Sequence, residues 1–494
     1  MLQMSSGWER SSGTSSSWGR LALTSVAALS IMFMTAATGA ANAETLREAL
    51  AAAYSSNPKL DAERARLRAT DENVTRAESG YRPTVEGSAD MGHQNTTTSP
   101  EASTSGEANP WGYSISVRQS VFNGFRTTNG VSEAEATVKA GRENLRLVET
   151  GMLLEAVAAY MDVVSATAIS RIRENNVAVL TEELDAAKTR RSVKEVTRTD
   201  VAQAEARRAR AASTADLAKS DVKTARAIFE RVVGHAPSNV TLPPITIKNL
   251  PNTIEEAWRA AEQESPNVGS ALYREEAARF AVDKVRGELL PEVNVEASYG
   301  HRENLNAFYD QQESATITGR VSVPLYDGGE TRARVRQAKE IHVSRIQEIE
   351  QARSETQANV TAAWSSLMGQ RAKLKSDSVQ VEANRIALEG VREEQKVGQR
   401  TLLDVLNAEQ EFLDSQIDLV TARREVVVGS YKLLAAMGQL SAEKLGLTAT
   451  VYDPAVHLEE ARQNWFGIDI THADGRHEIY DAADTVETTE QPVD

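Results

Sequence analysis

The sequence predicts an α+β chain written twice. Each half holds a helical lead-in, two short amphipathic strands and a long helical hairpin. Three observations carry this reading: where proline is absent, where polar and apolar residues alternate strictly, and which landmarks recur at a nearly constant offset. Of 13 prolines, none lies between Pro110 and Pro237 and none between Pro324 and Pro454. Proline breaks a helix interior, and both gaps are rich in Ala, Glu, Arg, Gln and Leu, which favour helix. Two very long helical regions follow.

The recurrence sets the domain plan. Pro58 and Pro266 each follow a small polar residue, at an offset of 208 (266 − 58), and Pro83 and Pro291 precede similar alternations at the same offset. Asn123-Gly124 matches Asp327-Gly328 at 204 (327 − 123), and Thr199-Asp200-Val201 matches Leu403-Asp404-Val405 at 204 (404 − 200). The change of offset falls between Pro83 and Asn123, around the polar stretch Asn95 to Asn109, where an insertion is tolerated. Residues 44–245 form a first repeat and 246–449 a second. Residues 450–494 are polar and acidic, and are expected to be a disordered tail.

Residues 1–43 read as a signal peptide. Arg10 and Arg20 precede an apolar run, Leu21 to Met34, and a small-residue stretch ends Ala41-Asn42-Ala43 before Glu44. No later stretch approaches ~18 consecutive apolar residues, so an exported protein without helical membrane spans is expected. Hydrophobic residues are 41%, enough for a core, and aromatics only 5%. A net charge of −15 argues against a nucleic-acid partner. The absence of cysteine excludes a disulfide scaffold and thiol catalysis.

Four segments alternate with period two: Thr84–Met91, Trp111–Arg118, Glu292–Tyr299 and Thr316–Val323. Their charged members, Glu86, Asp90, Arg118, Glu292, Glu296 and Arg320, all fall on the polar face, which a water-filled lumen tolerates. Each segment has roughly the length of an outer-membrane strand, and Trp111 and Tyr113 sit at a strand end, where an aromatic girdle belongs. Four strands cannot close a barrel, for which about eight is the usual minimum. In a bilayer an open edge strands its backbone groups. Several chains would therefore share one barrel, of eight strands in a dimer or twelve in a trimer.

The strands lead directly into the helices. Asp327-Gly328-Gly329-Glu330 reads as a helix start with Asp327 as N-cap, and Asn123-Gly124 as its counterpart. Farther on, Val405, Phe412, Leu419, Val426 and Leu433 are spaced by seven, as are Leu406, Leu413, Val420, Val427 and Leu434. That is a coiled-coil seam.

Together these features resemble the TolC family of outer-membrane efflux proteins. The most specific stretches are Val397-Gly398-Gln399-Arg400-Thr401-Leu402-Leu403-Asp404-Val405-Leu406-Asn407-Ala408, similar to the family's turn into its last long helix, and Val323-Pro324-Leu325-Tyr326-Asp327-Gly328-Gly329, similar to its strand-to-helix junction. The resemblance implies an α+β membrane protein in the outer membrane of a Gram-negative bacterium. It implies a homotrimer with a 12-stranded β-barrel, four strands per chain, continued by a long α-helical coiled-coil periplasmic tunnel. It implies an exit duct for drugs, toxic compounds or secreted protein, served by a periplasmic adaptor and an inner-membrane transporter of RND or ABC type. No catalytic site, cofactor or resident metal is implied.

For the periplasmic gate, the family's pattern carries Arg400 into a link with the Thr199-Asp200 region and makes Asp404 a ring of carboxylates able to hold a cation. This chain departs at Asn407, where better-known members have a second aspartate, and at Gln395, where they have a tyrosine. An N-terminal helix residue favoured by the dipole explains Asp404 equally well. Two other readings compete. A soluble coiled-coil adaptor would lack the four strands and the repeat. An enzyme would need a site, yet the seven histidines are scattered and no phosphate-loop or nucleophile motif occurs. His472 and His477 are read as solvated tail residues.

Overall fold

A computed structural model describes residues 44–97, 106–244, 250–306, 309–447 and 451–465, with 468, 470–471 and 477–478. The signal-peptide segment and His472 lie outside the described residues. The chain begins with α1 (Leu46–Ser56) and α2 (Pro58–Glu78), then β1 (Thr84–Met91), β2 (Gln94–Thr96), β3 (Gly106–Ala108) and β4 (Trp111–Phe122). Next come α3 (Arg126–Ser192) and α4 (Arg198–Val233). After a connection the order recurs: α5 (Ile254–Glu264), α6 (Pro266–Arg286), β5 (Glu292–Asn306), β6 (Tyr309–Ser322), α7 (Glu330–Lys396) and α8 (Leu402–Ala436). A short α9 (Pro454–Gln463) and the two-residue strands β7 (Ile470–Thr471) and β8 (His477–Glu478) complete it.

Local chemistry sets the boundaries. Pro58 and Pro266 stand in the first turns of α2 and α6, where the missing N–H costs nothing. Thr45 and Glu48 form a reciprocal capping box on α1. Both α3 and α7 have 67 residues, so each runs about 100 Å. Asp327 does cap α7, but from outside: Gly329 holds the N-cap position at φ 92°. The Asp327 carboxylate accepts from the N–H groups of Gly329 (2.9 Å) and Thr331 (2.8 Å). Two glycines in left-handed conformation move the start two residues beyond the expected cap.

The strands form one antiparallel sheet in the order β1-β4-β5-β6. Three strands run past their expected ends, β4 to Phe122, β5 to Asn306 and β6 back to Tyr309. The stretch expected to be a loop carries the small β2–β3 pair, Asn95 opposite Glu107. Within the described residues, β1 and β6 pair on one side only.

The core is at the waist, where the short helices meet the middle of the long ones. Tyr160, Phe229, Met152, Leu153, Leu367, Leu433 and Met437 are all buried there. The Tyr160 hydroxyl reaches the Glu44 and Thr241 carbonyls, each at 2.7 Å. One stretch of α3 has the length and mean hydropathy of a membrane span, contrary to expectation. Glu155 and Asp162 interrupt its apolar run, so a search for uninterrupted runs passes over it. Met152, Leu153, Val157 and Met161 spend that hydrophobicity in the core. Of the heptad seam, Val405, Leu406, Leu413, Val426, Val427, Leu433 and Leu434 are buried.

The tail departs most from expectation. Asp453 caps α9 and Pro454 opens it. His457 Nδ1 lies 3.1 Å from an Asp71 oxygen that has no exposure at all. Thr75 donates to the Ala461 carbonyl at 2.9 Å, and Arg462 pairs with Glu78 at 3.2 Å and with Glu135. Ten residues are too few for periodicity to reveal; the docking partners on α2 and α3 make the helix.

At the foot of the sheet the halves touch backbone to backbone. A Cβ on Gly124, at φ 67°, would fall on the Gly287 carbonyl oxygen. Gly124→Ala is therefore expected to destabilise the protein by about 1–3 kcal/mol. Gly130→Ala, inside α3 with its Cβ meeting only Lys284 Cδ at 3.6 Å, is expected to keep or raise the thermal midpoint in detergent, since Ala favours helix over Gly by ~0.5–1 kcal/mol. Equal midpoints for the two variants contradict the steric account.

Candidate functional site

Two regions gather the chemistry: the polar face of the sheet with its foot, and the paired tips of the long hairpins. Register joins the polar face across the four strands. Thr84 faces Arg118, Arg118 faces Glu296, and Glu296 faces Thr318. Arg118 and Glu296 pair at 3.5 Å, Arg126 and Glu292 at 2.7 Å, and Arg302 and Asp90 at 3.3 Å. Glu86 stands opposite Ser116, and Arg320 opposite Asn294. Arg118, Glu292, Glu296 and Arg320 line a cleft of about 1240 Å³ between the sheet and α2, α3 and α6.

The other face carries Val85, Ile115, Val117, Ile317 and Val321, and Val85, Ile115, Ile317 and Val321 are exposed. It is not apolar throughout. The longer β5 places His301 on it, stacked on Tyr113 at 5.4 Å and tilted against Trp111 at 6.1 Å. Glu303 and Glu313 lie 3.4 Å from its two ring nitrogens. Alternation alone ends at Tyr299, because the next outward residues are polar; Trp111 and Tyr113 were the available sign of an aromatic zone.

At the tips, both turns into the shorter helices are built alike. Thr197 and Asp200 form a capping box, and so do Thr401 and Asp404. Asp404 Oδ2 accepts from the Thr401 N–H at 2.9 Å and from its hydroxyl at 2.8 Å. These bonds hold the Asp404 carboxyl below its ordinary pKa, the backbone bond contributing most. The T-x-x-D spacing was present in the sequence at both turns.

The expected partner of Arg400 is not the one observed. Arg400 Nε bonds Glu394 at 2.8 Å, across the tight turn made by Gly398 at φ 77°, while Asp200 is occupied with Thr197. Thr199 and Arg400 are not brought together. The hairpins are joined instead by Arg207, which donates to Asn407 Oδ1 at 2.9 Å, over an apolar patch of Leu180, Leu184, Val201, Leu402 and Leu406. Gln395 contributes its carbonyl to the Gly398 N–H at 2.9 Å. One turn higher, Arg392 pairs with buried Glu409. Burial pushes the Glu409 carboxyl up and Arg392 opposes that shift. A buried oxygen of neighbouring Glu183 has no hydrogen-bond partner among the described residues. Sequence reasoning missed Arg207, Arg392, Glu183 and Glu409, because only the packing of four helices, α4, α7, α3 and α8, brings them into register. Among the described residues no cluster of His, Cys, Asp and Glu could hold a metal ion.

A family model described as outer membrane efflux protein matches residues 49–235 and 258–439. The chain belongs to the outer membrane efflux protein family. The outer membrane efflux protein BepC of Brucella suis biovar 1 is 40% identical over 446 residues, spanning 90% of this efflux protein and 96% of BepC. The alkaline protease secretion protein AprF of Pseudomonas aeruginosa is 27% identical over 260 residues, 51% of this chain and 54% of AprF. The outer-membrane channel CmeC of Campylobacter jejuni shares the fold, with a TM-score of 0.72 over 85% of this chain and 89% of CmeC, at 15% identity. This efflux protein is thus an outer-membrane exit duct with a large periplasmic part.

Two measurements follow from the caps. The stabilising contribution of a carboxylate with lowered pKa is present above its unfolded value and lost as pH falls through the folded one. Asp327 is held down to about 2 by Thr331 and Gly329. Its contribution is expected to disappear between pH ~4 and pH about 2, and Asp327→Asn flattens that limb of an acid titration followed by circular dichroism. Thr401→Ala removes an N-cap and costs ~1 kcal/mol, read as a lower thermal midpoint; an unchanged midpoint contradicts the capping role.

Proposed function

We propose that three copies of this chain close a single 12-stranded barrel and continue it as a helical tunnel through the periplasm. The observation that carries this is the sheet itself. It has four strands, an exposed apolar face and one-sided pairing at β1 and β6, which a bilayer does not tolerate in isolation. Pairing β6 of one copy with β1 of the next satisfies both edges and puts Glu86, Asp90, Arg118, Glu292, Glu296 and Arg320 inside, against water. A twofold internal repeat is supported by helix lengths of 11, 21, 67 and 36 residues in one half and 11, 21, 67 and 35 in the other.

The duct is a passive conduit. Its cargo would be drugs or toxic compounds, as the family resemblance implies and as fits a relative named for efflux, or secreted protein, as fits one named for alkaline protease secretion. Energy would come from an inner-membrane transporter of RND or ABC type, joined through a periplasmic adaptor at the hairpin tips. The gate is read as the ring of tips. Arg207 and Asn407 link the hairpins within a chain, Arg400 and Asp404 stand at the turn, and three symmetric copies act together. Exposed links of this kind contribute only ~0.2–1 kcal/mol each, weak enough for a docked partner to release.

Planar-bilayer recording tests the gate on purified trimers. Asn407→Ala is expected to raise single-channel conductance severalfold, with Arg400→Ser acting in the same direction by loosening the turn. Intact trimers of both variants that conduct like wild type would place the constriction elsewhere. A purified protein that behaves as a soluble monomer would remove the shared-barrel reading altogether.

A further inference from the structure

The protein is acidic overall, at −15, yet the cleft at the foot of the sheet is not. Six basic side chains line it against four carboxylates, 6 − 4 = +2 per chain. Each carboxylate is already engaged. Glu296 pairs with Arg118, Glu292 with Arg126 and Glu133 with Lys284 (2.8 Å), while Glu288 pairs with Arg334. Arg82 has Glu78 at 4.0 Å and stacks on Trp465 at 4.2 Å. Arg76 and Arg320 are left: among the described residues neither has a carboxylate within 4.0 Å. Within one chain, the excess charge of the cleft therefore resides in two guanidinium groups.

The remaining wall suits the same kind of ligand. Asn73, Thr84, Ser120, Asn123 and Thr127 supply hydrogen-bonding groups, and among the described residues no aromatic ring lines the cleft. The first turn of α3 opens on it through Arg126 and Thr127; their N–H groups each bond Asn123 at 3.4 Å, so this helix start contributes partial positive charge rather than free donors. Planar guanidinium groups bind carboxylate, sulfate and phosphate oxygens in pairs.

We infer that this cleft is an anion station on the export path, a site where a carboxylate, sulfate or phosphate group of a passing solute is held between Arg76, Arg320 and the start of α3. This rests on the trimeric-duct reading, in which three such clefts face one axis as a basic collar below the barrel. A collar of one sign in a narrow passage concentrates counter-ions, by about tenfold or more, and does so less as salt screens it.

The experiment uses purified full-length trimers in planar bilayers under a KCl gradient, with inorganic pyrophosphate as the anion probe. Wild type is expected to show transient block by pyrophosphate that weakens at high salt. Arg76→Gln with Arg320→Gln is expected to lower the chloride-to-potassium permeability ratio at least about twofold and to abolish the block. Glu296→Gln frees Arg118 and is expected to move the ratio the other way; if the double variant does not assemble, this variant decides. A reversal potential that neither set of substitutions moves, or pyrophosphate block that survives the double variant, overturns the anion station. Absence of any pores from wild type instead defeats the duct reading beneath it.

Discussion

The proposed shared barrel answers to one requirement: in hydrocarbon, every backbone N–H and C=O must find a protein partner. A four-stranded sheet leaves the outer rows of β1 and β6 unpaired. The requirement reaches into the helices because the strands are continuous with them. β4 passes into α3 through Asn123 and Gly124, and β6 leads to α7 through Asp327 and two left-handed glycines. The direction in which each 67-residue helix leaves the sheet is thus set within a few residues of the strand end. The Gly124–Gly287 contact holds the first of these junctions against the second half, with no room for a side chain.

The waist and the tips divide the remaining work differently. At the waist, large apolar residues from α1, α3, α4, α5, α7 and α8 make a conventional core, well able to hold the subunit together. At the tips the packing is thin, small and partly polar. Leu184, Val201 and Leu406 give a narrow apolar contact, with Arg207–Asn407 and Arg392–Glu409 beside it. Burial of polar groups with incomplete partners, as at Glu183, costs free energy. In the proposed tunnel the tips are the end that would open, and they are the end where packing is thinnest.

Much of the fold was legible because it is periodic. Proline spacing gave both long hairpins, and alternation gave all four strands of the main sheet, though β4 only to Arg118, β6 only from Thr316 and β5 only to Tyr299. Past that point His301 and Glu303 break the polar–apolar rule, and aromatic stacking with charge pairing replaces it. The site was legible only in part. The turns at Thr401 and Asp404 were recognised from their motif, but the partner of Arg400 was not. Glu394, six residues back, reaches it through a turn whose geometry Gly398 creates. Arg207 meets Asn407 from 200 positions away, and no local pattern encodes such a meeting. The helix of the tail escaped notice for the opposite reason, being too short to carry a period.

That last helix has a consequence for how the subunit matures. Asp71 belongs to the second helix to be made, and it has no exposure in the finished fold. Its imidazole partner, His457, is supplied by α9, and Thr75 bonds Ala461 across a separation of 386 residues. Until that end arrives, α2 carries a carboxylate with no counterpart and an uncovered groove. The clasp therefore reports on the completeness of the polypeptide: a chain cut short before residue 450 retains both strand pairs and both hairpins, yet cannot finish the surface of its own waist.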